Sequence, residues 1–132
     1  YTYSNIAYQC AKIHDKMEQS KLRNWILDLE FRHFGIPVPD LNIFLDVPFS
    51  FTERKLSGSR LGDDRTYLNG SADIHEADIE FQRNVRNVYL ETAVRDERLT
   101  VIKCSDENEE MKTPAEIFEM VRELLYSHNI LN

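Results

Sequence analysis

Only two stretches of this chain are short, apolar and suited to buried strands: residues 41–47 and residues 99–104. The first is LNIFLDV, with Asn42 and Asp46 as its only polar members, and Pro48 follows it. Runs of this kind are the mark of strands buried on both faces of a parallel sheet. Almost everything around them carries helical periodicity. Parallel strands joined through helices expect right-handed crossovers and an α/β architecture. Two strands are few for such a sheet, which normally has four or more. The expected fold is therefore one half of a larger α/β domain, helix-rich, with two parallel strands. Residues 1–132 read as a single partial domain with no internal repeat.

The helices are marked by spacing and by caps. Ile6, Cys10, Ile13 and Met17 recur at helical intervals, which predicts a first helix over 6–17 with Ser4 or Asn5 as its cap. Ser20 is the expected cap of a second helix over 21–34. Leu22, Ile26, Leu27, Leu29, Phe31 and Phe34, with Trp25, give it an apolar surface broad enough for a core or a subunit interface. Gly35 is the expected stop. Ser50 begins a short helix carrying Phe51, Arg54 and Lys55. Residues 58–73 are polar and punctuated by Gly58, Gly62 and Gly70, and predict a surface loop long enough to act as a lid. Asp73 with Glu76 has the spacing of a capping box at the head of a long helix bearing Phe81, Val85, Val88 and Thr92. Residues 106–110 predict an exposed acidic turn. Thr113, Pro114 and Glu116 predict the start of a last helix whose apolar side is Ile117, Val121, Leu124 and Leu125.

Composition narrows the function. There are 16 Lys and Arg against 23 Asp and Glu, a net charge of −7. No basic stripe fits a nucleic-acid duplex. No apolar run is long enough for a membrane span. Cys10 and Cys104 are far apart, with neither CxxC nor zinc spacing, and read as reduced, buried, cytoplasmic thiols. His75-Glu76 lacks the second histidine of a zinc helix, because position 79 is isoleucine. His14, His33 and His128 are scattered. No metal ligand set is expected in the chain. There is no G-x-S-x-G nucleophile elbow.

Phosphate chemistry leaves a clearer trace. The G-x-x-x-x-G-K-[ST] phosphate loop is absent. Arg60 and Arg65, however, lie on the glycine-flanked loop. Guanidinium groups delivered by a mobile loop stabilise charge on a transferring phosphoryl group and exclude water. Ser4, Asn5 and Tyr8 fall within about one helical turn, so a hydroxyl, an amide and a phenol could face one pocket for a nucleobase and sugar, although the spacing by itself favours a helix cap with a surface tyrosine.

Several stretches in order resemble the thymidylate kinase family. Tyr3-Ser4-Asn5 with Tyr8 is similar to its S-N-x-x-Y segment. Pro39-Asp40-Leu41 through Leu45-Asp46-Val47 is similar to its P-D-L-x-x-x-L-D-V strand. Arg60, Asp64 and Arg65 sit where the family carries a lid. Asp73 to Glu76 resembles D-x-x-E, and Val85-Arg86 with Tyr89-Leu90-Glu91 resembles V-R-x-x-Y-L-E. The resemblance covers nearly the whole chain. It implies the C-terminal half of a P-loop nucleoside monophosphate kinase, which moves the γ-phosphate of ATP, with Mg²⁺, to dTMP and yields dTDP.

By position, the resemblance implies that Asn5 meets the thymine edge with Ser4 beside it. Tyr8 packs near the deoxyribose, and Arg60 and Arg65 close over the phosphates. Asp73 and Glu76 stand at the lid base near dTMP, and Cys104, Ser105 and Asp106 flank the adenine. It also implies a cytoplasmic homodimer. The phosphate loop and the expected Mg²⁺ ligands are not in the chain, which opens at Tyr1 without an initiator Met. The chain reads as a fragment, inactive alone and prone to self-association through uncovered strands. Two alternatives remain open: another nucleotide kinase of the same fold, and a non-catalytic helical interaction or dimerisation module.

Overall fold

A computed structural model describes the backbone of residues 1–58 and 71–131, and the side chains of 1–55 and 78–131. The elements run α1 (Thr2–Cys10), α2 (Lys16–Asp28) continued by a π-helical turn (Leu29–His33), β1 (Asn42–Asp46), α3 (Phe49–Gly58), α4 (Ser71–Arg95), β2 (Leu99–Lys103) and α5 (Pro114–Ser127). β1 and β2 are parallel, with Asn42 opposite Leu99 and Asp46 opposite Lys103. The helix-rich α/β order with two parallel strands agrees with the sequence expectation, and it is consistent with the nucleotide-kinase class of fold.

The core lies where α1 crosses α2 and α4. Ile6, Ala7, Cys10 and Ala11 of the α1 region pack with Ile26, Val85 and Val88, and Leu22, Leu27, Phe81 and Tyr89 close around them. Ile6 and Cys10 are each 1% exposed. Full burial of an isoleucine side chain contributes about 1.5–3 kcal/mol, so α1 is held mainly by this seam.

The first two helices divide differently from the periodicity. α1 ends at Cys10, seven residues before the expected end at Met17, and α2 begins at Lys16 rather than 21. The side chain of Gln19 is the reason. Its Nε2 donates to the carbonyls of Cys10 at 3.1 Å and Ile13 at 2.6 Å, bracing the turn that follows α1. Asp15 then caps α2 by accepting from the Glu18 N–H at 2.9 Å. Ser20 is thereby inside α2, where its hydroxyl accepts from Arg95. Met17, expected on the buried face, is 68% exposed.

Gly35 stops the π turn at φ +64°, a left-handed conformation that glycine adopts without steric cost. β1 is covered on one face only. Phe44 stacks on Tyr89 of α4 with centroids 4.3 Å apart, while Leu45 points the other way and is 44% exposed. A two-stranded sheet cannot bury both faces, and the open Leu45 side is what uncovered strands of a partial domain would show.

α4 begins at Ser71, which places Asp73 within its first turn instead of at the cap. Acidic residues are favoured there by the helix dipole without capping. The ends of the expected 58–73 loop are thus helical, at Gly58 and from Ser71. The rest of that expected lid, with Arg60 and Arg65, lies outside the described residues. At α5 the capping box is complete: Thr113 Oγ1 accepts from the Glu116 N–H, and the Glu116 carboxylate accepts from the Thr113 N–H at 2.8 Å. No residue of α5 is buried.

Candidate functional site

In open α/β folds, ligands bind off the carboxyl ends of the strands. β1 ends there in Asp46, and Pro48 turns the chain into α3. A cleft of about 270 Å³ opens at this point, lined by Tyr8 of α1, Phe44 and Asp46 of β1, Phe49 of α3, and Arg86 and Tyr89 of α4.

Its polar floor is a bidentate ion pair. Arg86 Nε donates to Asp46 Oδ1 at 2.5 Å, and its terminal nitrogen donates to Oδ2 at 2.8 Å. The Asp46 side chain is 9% exposed and that of Arg86 is 35% exposed. The pair uses two of the five guanidinium donors. Arg86 lines the cleft with its remaining N–H donors. The walls are aromatic: Tyr8 meets Phe81 edge to face at 5.9 Å, and Tyr89 stacks on Phe44. An ion-paired floor that keeps spare guanidinium N–H donors, set between aromatic walls, suits a planar ring with hydrogen-bond acceptors.

The structure groups some of the sequence candidates and separates others. Tyr8 faces the cleft. Ser4 stands beside it, accepting from the Tyr89 hydroxyl at 2.9 Å. Asn5 turns toward a different neighbour, and its Nδ2 donates to Glu30 of the π turn at 3.1 Å. Cys104, Ser105 and Asp106 follow β2 next to the end of β1, and the Cys104 N–H donates to the Asp46 carbonyl at 2.9 Å. Cys104 and Ser105 are buried, while Asp106 is exposed and its carboxylate accepts from the N–H groups of Asn108 and Glu110. Burial pushes the Cys104 thiol up, and the nearby Asp46 carboxylate adds to this. Burial also pushes the Cys10 thiol up. Neither is an activated nucleophile. Asp73 and Glu76 are in the helical backbone of α4. Among the described residues, no group of three or more His, Cys, Asp or Glu is placed to hold a metal ion.

Sequence reasoning gave no role to Asp46, Arg86, Phe44, Tyr89 or Glu30. Asp46 did leave a signal: a charge inside an apolar run requires a buried partner. The partner stands 40 residues away in α4. Nothing in spacing along the chain identifies it.

The helix-rich α/β order with two parallel strands is consistent with a fragment of nucleotide-kinase-like fold. Comparison with curated proteins narrows the relationship. The chain is similar to the thymidylate kinases of two Mycobacterium tuberculosis strains, CDC 1551 / Oshkosh and ATCC 25618 / H37Rv. Each is 30% identical over 95 residues, which cover 72% of this chain and 42% of the relative. The chain therefore spans less than half the length of the curated relatives it matches. The relationship to thymidylate kinases is distant. No protein-family model matches the chain, and no solved structure matches it.

Proposed function

We propose that the protein carrying this chain is a thymidylate kinase. The observation that carries this reading is the 95-residue similarity to the two mycobacterial thymidylate kinases. The cleft at the carboxyl end of β1, with Tyr8 in its wall, supports it. In the reaction, an oxygen of the dTMP phosphate attacks the γ-phosphorus of ATP. The bond from that phosphorus to the β-phosphate oxygen breaks, leaving ADP and dTDP. ATP, bound with Mg²⁺, supplies the transferred group.

In this reading α1 holds the acceptor nucleotide. Asn5 contacts the base edge with Ser4 beside it. Tyr8 packs against the sugar, where a 2′-hydroxyl would crowd the ring. Arg60 and Arg65 neutralise charge on the transferring group, which is worth most where water is excluded. Asp73 and Glu76, at the start of α4, act near the acceptor. The turn from Cys104 to Asp106 flanks the adenine. The protein works as a cytoplasmic homodimer.

Nucleotide binding to the gene product, measured by calorimetry, tests the reading. Binding of dTMP, tighter than that of the ribonucleotide analogue and weakened about tenfold or more by Tyr8→Ala, is the expected result. No preference for dTMP over purine monophosphates overturns it.

A further inference from the structure

Glu30 is charged, only 4% exposed, and has no cationic partner among the described residues. Its position is set by the π turn, in which the Phe34 N–H reaches back five residues to the Leu29 carbonyl at 2.9 Å. π turns inside α-helices occur frequently at functional sites. Both contacts of Glu30 come from one face of α1. Oε2 accepts from the Thr2 hydroxyl, and Oε1 accepts from Asn5 Nδ2 at 3.1 Å. A buried carboxylate held only by neutral donors is costly. An apolar side chain would join the same two helices at lower cost.

We infer that Glu30 is a positioning residue that fixes which end of the Asn5 amide a ligand meets. A carboxylate accepts hydrogen bonds and does not donate them. Asn5 therefore meets Glu30 only through its NH₂ group, and its Oδ1 is turned away. An amide that is free to flip offers a ligand either a donor or an acceptor. The clamped amide commits one of its two N–H donors to Glu30 and holds Oδ1 on the opposite side, as the acceptor left to a ligand. It selects a pyrimidine whose ring N3 carries a proton, as thymine and uracil do, over one whose N3 is bare, as in cytosine. This inference rests on the proposed function, in which Asn5 meets the base edge.

The test compares dTMP with 5-methyl-2′-deoxycytidine monophosphate, which keeps the methyl group and reverses the N3 edge. Affinities are measured by calorimetry on the gene product as wild type, Glu30→Met and Glu30→Gln. The wild type is expected to prefer dTMP. Glu30→Met, which removes the acceptor at similar volume, is expected to reduce that preference about tenfold, the worth of about one hydrogen bond. Glu30→Gln keeps an acceptor and is expected to retain most of the preference.

An unchanged preference in Glu30→Met overturns the inference and leaves the thymidylate reading standing. Equal weakening of both ligands marks a purely structural residue and also overturns it. A wild type without preference for dTMP overturns the reading, and the inference with it. If Glu30→Met does not fold, NMR on the wild type decides. Asn5 side-chain amide protons protected from solvent exchange support the clamp, and freely exchanging ones refute it.

Discussion

Asp46 and Arg86 join a strand end to a helix through two hydrogen bonds, with the carboxylate nearly out of water. Removing one member leaves the other uncompensated. Because Arg86 keeps contact with solvent, the penalty falls below that of a fully buried pair. Asp46→Leu is expected to cost about 2 kcal/mol, read from the urea midpoint, and adding Arg86→Met is expected to recover most of the loss.

A second charged cluster sets a pH response. Asp96 accepts from Tyr3 Oη at 2.7 Å and from Arg98 at 2.8 and 2.9 Å. Burial pushes the Asp96 carboxyl up, but the bonds from Arg98 and Tyr3 outweigh it, and the net shift is downward. Burial, reinforced by Asp96, pushes the Tyr3 phenol up, so Tyr3 remains a donor. A carboxyl lowered in the folded state contributes stability above its unfolded value, about 3.9, and loses it as pH falls through the folded value. Asp96→Asn is expected to flatten the loss of stability below about pH 4. Denaturant midpoints across pH 2.5–6 check this, and an unchanged acid limb contradicts it.

Helix ends differ in how well the sequence announces them. Thr113, Pro114 and Glu116 form a local signal, and the capping box stands as read. Thr113→Ala is expected to cost about 1 kcal/mol and to speed amide exchange in the first turn of α5, with the α1–α4 core unaffected. The corner between α1 and α2 was not legible in this way. Apolar spacing continued through residues 11–15, and the break depends on Gln19 reaching back to two carbonyls. Likewise, Gly35 marked the stop of the second helix, but no local feature announced the π turn before it. The two strands were legible because an apolar run bounded by prolines and turns has few other uses. The site was legible only in part. Ser4, Asn5 and Tyr8 share one helix by spacing, but spacing alone fits a helix cap with a surface tyrosine as well, and only the family resemblance gave them roles. The Asp46–Arg86 and Asn5–Glu30 contacts join elements 40 and 25 residues apart, and depend on how the helices pack.

The whole chain leaves much apolar surface open. α5 buries none of its residues, Trp25 is 60% exposed, Phe34 is 68% exposed and Phe118 is 63% exposed. Among the described residues the sheet has two strands, so each presents one unpaired edge. Such edges and patches pair with whatever is available. The isolated 132-residue chain is expected to sediment as concentration-dependent oligomers, and a compact monomer across the micromolar range contradicts this. The open faces also fit a protein whose similarity to thymidylate kinases spans 42% of their length.

The most direct measurement follows labelled phosphate from γ-labelled ATP into dTDP, using the gene product beside its Arg65→Ala variant. The account predicts labelled dTDP from the wild type and a rate about a hundredfold lower in the variant, the usual loss for one transition-state donor. Wild-type protein that leaves dTMP unlabelled contradicts it.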